Sequence, residues 1–237
     1  MFAFMPFNVG AHECATPPLC TDFAITDSGA VVPWPARYPP TKPSVTTSAR
    51  NTIGSGIAYH RGALGVRYRA EVLPRDTERL RFRQMAPSDL EAMAGLLGDP
   101  EVMRYYPAPK TREQAAAWIA WNQRNYAEHG YGLWIIETHA GEFVGDCGLT
   151  WQDVNGLTKL EVGYHVSPAW QGRGIATEAA AACRDFVIEH VDAQELIAII
   201  HPDNRASERV AEKIGMRRVE DDHTEGRARR IVLSMAV

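Results

Sequence analysis

Leu160-Glu161-Val162-Gly163-Tyr164-His165-Val166, then Ser167-Pro168-Ala169-Trp170, then Gln171-Gly172-Arg173-Gly174-Ile175-Ala176-Thr177 reads as a strand, a break and the start of a helix. Leu160, Val162, Tyr164 and Val166 alternate with Glu161, Gly163 and His165, which is the period of a β-strand. Two glycines separated by one residue let the backbone approach a ligand closely and aim neighbouring N–H groups the same way. The helix start that follows adds partial positive charge, so the stretch suits an anion, phosphate above all.

Two common phosphate motifs do not fit. A P-loop needs GxxxxGK[ST], and no Lys follows Gly174. A dinucleotide fingerprint needs GxGxxG in the first strand–helix unit, whereas this GxG comes late and Thr177 stands in the place of the third glycine. A second landmark lies 33 residues beyond Gln171, at Asn204. The apolar run Leu196–Ile200 precedes His201-Pro202-Asp203-Asn204-Arg205-Ala206-Ser207, and Glu212-Lys213-Ile214-Gly215-Met216 closes the segment. A buried strand, an Asn at a helix start and Gly215 as a helix stop is a consistent punctuation.

Q-G-x-G-x-A after a strand, together with N-x-A-S-x-x-x-x-E-K-x-G-M, resembles the GNAT N-acetyltransferases. The opening Thr77-Glu78-Arg79-Leu80, with Arg83, resembles the ribosomal-protein alanine/serine N-acetyltransferase branch of that family. The resemblance runs from residue 77 to about 236. It implies acetyl-CoA as cosubstrate and a primary amine as acceptor, either a protein N-terminus or a small molecule. Amides of Gln171, Gly172, Arg173, Gly174, Ile175 and Ala176 would hold the pyrophosphate, with Thr177 beside them and the Arg173 side chain near phosphate or solvent. Backbone groups of His165 and Val166 and the side chain of Asn204 would meet the pantetheine arm.

The same resemblance makes Glu161 the candidate general base, since branch members carry Glu in E-[VI]-G-Y. A partly desolvated carboxylate there would have a raised pKa, as a base requires. His165 is the alternative on the same strand. Two family positions for acid groups hold Ala211 and Ile199, which leaves Ser207 as the hydroxyl to protonate the thiolate or order a water. Those departures also motivate a rival reading, a catalytically silent acyl-CoA-binding module. Tyr105, Tyr106, Trp118, Trp121, Tyr131 and Trp151 are divided between core and acceptor pocket.

Composition narrows the classes further. The chain has 237 residues, 45% hydrophobic and 23% charged, as in ordinary globular proteins. No apolar run approaches the ~18 residues of a membrane-spanning helix. Met1–Phe7 is apolar but lacks a basic flank and is cut by Pro6, unlike a signal peptide. Cys14, Cys20, Cys147 and Cys183 show no metal-ligand spacing and read as reduced thiols of a cytoplasmic protein with no metal. Residues 1–70 hold six of the 25 Lys/Arg and three of the 29 Asp/Glu, so the remainder is acidic and nucleic-acid binding through a basic face is not expected. Oligomeric state is left open.

Residues 1–70 also hold eight of the 15 prolines and a Ser/Thr-rich stretch. No period persists, so this segment is expected to be a disordered tail ahead of a GNAT domain over 71–237. Within the domain, Thr111-Arg112-Glu113-Gln114 is a capping box, Ala140-Gly141 a hairpin turn and Asn155-Gly156 a second turn. The expected order is β, α, α, β, β, β, α, β, α, β, β. It gives an α/β fold with a mixed, mostly antiparallel sheet and helices on both faces.

Overall fold

A computed structural model describes residues 72–224 and 228–237, and before them two short antiparallel ribbons. These pair Phe23–Ile25 with Val31–Pro33 and Tyr59–Arg61 with Arg67–Arg69. The expectation of a disordered tail over 1–70 otherwise lies outside the described residues.

From Leu80 the elements follow the expected order. Strand β1 (Leu80–Arg83) leads to helices α1 (Leu90–Gly98) and α2 (Arg112–His129). Strands β2 (Leu133–Thr138), β3 (Phe143–Val154) and β4 (Leu157–Val166) form a meander. Helix α3 (Ile175–His190), strand β5 (Glu195–Ile200) and helix α4 (Arg205–Lys213) come next. Strands β6 (Arg217–Asp222) and β7 (Arg230–Ala236) finish the chain. The seven strands lie in the order β6-β7-β5-β4-β3-β2-β1. Every neighbouring pair is antiparallel except β4 with β5.

Local chemistry explains the boundaries. Thr111 Oγ1 accepts from the Gln114 amide at 3.3 Å and Gln114 Oε1 from the Thr111 amide at 2.9 Å, so two orphan donors at the start of α2 are satisfied reciprocally. Gly130, at φ 84°, takes the left-handed residue that closes the helix. Asn155 at φ 51° and Gly156 at φ 80° form the tight turn between β3 and β4, a backbone that Asn and Gly tolerate best.

Adjacent residues of β3 show that helices cover both faces of the sheet. The Asp146 carboxylate accepts from Trp118 of α2 at 3.2 Å, while the Cys147 sulfur lies 3.5 Å from that of Cys183 on α3. Side chains of successive strand residues point to opposite faces, so α2 and α3 lie on opposite sides. The apolar run of β5 is buried along Leu196–Ile200, as suits a strand with packing on both faces. Each such large aliphatic side chain contributes about 1.5–3 kcal/mol on burial.

Candidate active site

Strands β4 and β5 pair in parallel only at Leu160 with Leu196 and Glu161 with Ile197. Beyond these residues a cleft of about 590 Å³ opens between Val162–Val166 on one side and Ala198–Ile200 on the other. The turn after β4 and the start of α3 close one end, at Gln171, Gly172 and Gly174–Thr177. The start of α4, with Asn204, Ala206 and Ser207, forms a wall, and Tyr105 and Tyr106 also line the cleft.

The glycine loop is shaped for close approach. Gly172 at φ 71° and Gly174 at φ 78° both take left-handed backbone, which a side chain would strain. Gly174 is the N-cap of α3 and makes no side-chain cap hydrogen bond, a helix start of the kind that can offer its first N–H groups to an anion. The loop is braced from the domain's first residues. Arg79 donates to the Arg173 carbonyl at 2.9 Å and pairs with Glu178, whose carboxylate also accepts from the Thr77 hydroxyl and the Arg79 amide. Burial alone would push the Glu178 carboxyl up, but these hydrogen bonds hold it below the usual range.

The Arg173 guanidinium sits over the Trp170 ring, 5.3 Å from its centroid, while the Gln171 side chain donates through Nε2 to the Val166 carbonyl at 2.9 Å. Asn204 caps α4 by accepting from the Ser207 amide at 3.1 Å. The Ser207 carbonyl accepts from the Tyr164 hydroxyl at 3.1 Å, tying β4 to α4 across the cleft wall. Burial pushes the Tyr164 hydroxyl above its usual value.

The two candidate bases of β4 sit differently. Glu161 is fully buried at the point where the strands part and is absent from the cleft lining. Its carboxylate accepts from the Ile199 amide at 3.3 Å and faces the Thr150 hydroxyl at 3.5 Å, and burial raises its pKa. His165 lines the cleft. Its Nδ1 is 2.7 Å from Asp146 Oδ1, its Nε2 is 2.7 Å from the Tyr106 hydroxyl, and its own amide donates to Asp146 Oδ1 at 3.0 Å. A Cβ on Gly145 would fall 2.0 Å from the His165 carbonyl oxygen, so only glycine permits this approach of β3 to β4.

The structure thus brings His165, Val166, Gln171, Gly172, Gly174, Ile175, Ala176, Thr177, Asn204 and Ser207 around one cleft and leaves Glu161 and the Arg173 side chain outside its lining. Sequence reasoning missed Asp146 and Tyr164. A carboxylate inside the otherwise apolar Val144–Leu149 run was the available signal for Asp146.

The sequence pattern of the family described as "Acetyltransferase (GNAT) domain" matches residues 79–217, more than half of the chain. The chain belongs to the GNAT acetyltransferase family. Among its relatives, the Bacillus subtilis (strain 168) protein "Uncharacterized protein YkkB" is 44% identical over 142 residues, 59% of this chain and 83% of that one. A solved GNAT acetyltransferase from Bacillus anthracis is 25% identical with a TM-score of 0.56, covering 67% of this chain and 95% of that one. A structure titled "RimL- Ribosomal L7/L12 alpha-N-protein acetyltransferase", in complex with coenzyme A, shares the fold at TM-score 0.56 and 16% identity, over 69% of this chain and 97% of that one. As a GNAT acetyltransferase the protein is an enzyme of acyl transfer. Among the described residues no helix is long and apolar enough to cross a membrane.

Proposed function

We propose that this GNAT protein moves an acetyl group from acetyl-CoA directly to a primary amine, with the protein N-terminus as the first acceptor class to test. The observation that carries this reading is the meeting of the uncapped start of α3, with its two left-handed glycines, and the parting of β4 from β5 in one cleft. The first feature offers backbone donors to a pyrophosphate, and the second gives an extended arm a slot between strands. Asn204 would meet the pantetheine arm. Ser207, on the same wall, would hydrogen-bond the departing sulfur. Because the His165 amide and the Val166 carbonyl already have protein partners, the arm's bonds to these two residues would be additional to those contacts.

Two measurements test the reading. Millimolar acetyl-CoA should raise the melting temperature, as a ligand of the native state does. Thiol release from acetyl-CoA should then appear with at least one member of a panel of N-terminal peptides, polyamines and small amines. No thermal shift would overturn the reading. A shift without turnover on any acceptor would favour the catalytically silent acyl-CoA-binding module. Glu161 remains open to direct challenge: a fall of about 10²–10⁴-fold in Glu161→Gln, with the thermal shift intact, is what a general base requires.

A further inference from the structure

The chain Asp146–His165–Tyr106 has the composition and geometry of a proton relay that opens on the cleft. Asp146 is fully buried; the His165 amide and Trp118 Nε1 donate to its two oxygens, and His165 Nδ1 lies 2.7 Å from one of them. A carboxylate offers acceptors and no donor, so a ring nitrogen facing it is suited to donate. His165 Nδ1 therefore carries the hydrogen, and in the neutral ring Nε2 is the acceptor, facing the Tyr106 hydroxyl at 2.7 Å. The phenol then donates to Nε2, and Tyr106 itself lines the cleft. His165 is only 4% exposed, and Tyr106 stands beside it on the cleft lining.

Trp118 packs edge-on to the imidazole with centroids 5.9 Å apart, and the Tyr106 ring tilts against it at 5.5 Å. The ring cannot rotate without breaking contacts to both of its neighbours. A histidine that only filled space in the core would not need a carboxylate on one nitrogen and a cleft-lining phenol on the other.

We propose that Tyr106 and His165 carry the amine proton during acetyl transfer and that Asp146 positions the imidazole, an inference that rests on the transferase reading above. A free amine attacks the thioester carbonyl and the C–N bond forms. The proton shed by nitrogen goes to the Tyr106 oxygen as the phenol's own proton passes to His165 Nε2. The resulting imidazolium faces the Asp146 carboxylate. The C–S bond breaks with its electron pair on sulfur, and the imidazolium returns the proton through Tyr106 to that thiolate. Amide and CoA thiol leave, and the protein ends as it began.

The full chain and its Tyr106→Phe, His165→Gln and Asp146→Asn variants test this with three readouts. The first is the acetyl-CoA thermal shift, the second thiol release with the amine panel, and the third the His165 tautomer by long-range ¹H–¹⁵N NMR, which needs no acceptor. Tyr106→Phe should keep the thermal shift and the KM for acetyl-CoA while kcat falls by about 10²-fold or more, the range of a lost acid–base group. His165→Gln should do the same. The wild-type ring should hold its proton on Nδ1, and Asp146→Asn should shift it toward Nε2 with a matching fall in kcat. A ring protonated on Nε2 in the wild type, or Tyr106→Phe turning over within about twofold of wild type, would overturn the relay. A wild-type protein with neither thermal shift nor thiol release would overturn the transferase reading and the relay with it, whereas loss confined to the variants separates the two.

Discussion

On one part of the cleft the candidate groups fall within a single stretch, Gln171 to Thr177, whose backbone is proposed to hold the ligand. On another part Tyr106 and Asp146 reach His165 from 59 and 19 residues away, and side chains are proposed to act. The first part depends on local conformation, namely two positive-φ glycines and a helix start. The second depends on tertiary register, because Asp146 meets His165 only where β3 and β4 pair those two residues. A local device can be read from spacing. A register device can be read only by counting along both strands from the turn that joins them, here Asn155-Gly156, which sets Asp146 opposite His165.

This contrast can be broken by substitution, beginning with the largest effect. Gly174→Trp should abolish the acetyl-CoA thermal shift while the protein still unfolds cooperatively, because the φ of 78° and the open approach are both lost. A retained shift would mean that the loop's backbone does not hold the ligand. Arg79→Ala should act on the same part but more weakly, loosening acetyl-CoA binding about fivefold through the lost tie to the Arg173 carbonyl. Isothermal titration distinguishes that from no change, which would make the brace purely structural.

Glu161→Gln probes the point where the strands separate. Burial raises the Glu161 pKa in the folded protein, so its favourable contribution is complete below the unfolded value of about 4.3 and is lost as pH rises through the raised folded value. Stability of the wild type should therefore fall relative to the Gln variant as pH rises above the unfolded value, read by denaturant unfolding. Parallel curves would contradict a desolvated carboxylate. The smallest effect is expected from starting the chain at Val72: a melting temperature within about 2 °C of the full chain and unchanged thiol release. Loss of cooperative unfolding would place the domain boundary earlier than residue 71.

Much of the fold was legible because its boundaries carry local chemistry. The Thr111 capping box, the Asn155-Gly156 turn and the Gly215 stop each specify backbone conformation by themselves, and the alternation of Leu160–Val166 names its strand. The glycine loop was legible for the same reason. Glu161 shows the limit. Its parity on the strand was readable, but whether a residue of that parity faces a cleft or plugs the gap between parting strands depends on where β4 and β5 separate. That separation falls just after Glu161 and Ile197, and no residue type marks it. Asp146 could be set opposite His165 by counting from the Asn155-Gly156 turn, but its contact with Trp118 on α2 depends on how that helix packs on the sheet.

Hydrogen exchange with and without acetyl-CoA tests the central claim most directly, because it reads the backbone amides that the cleft is proposed to offer. Protection should rise at the amides of residues 172–177 and around Asn204–Ser207, while Leu133–Thr138 of β2, remote from the cleft lining, stays unchanged. Protection that leaves residues 172–177 untouched at saturating acetyl-CoA would contradict the assignment of this loop as the pyrophosphate site.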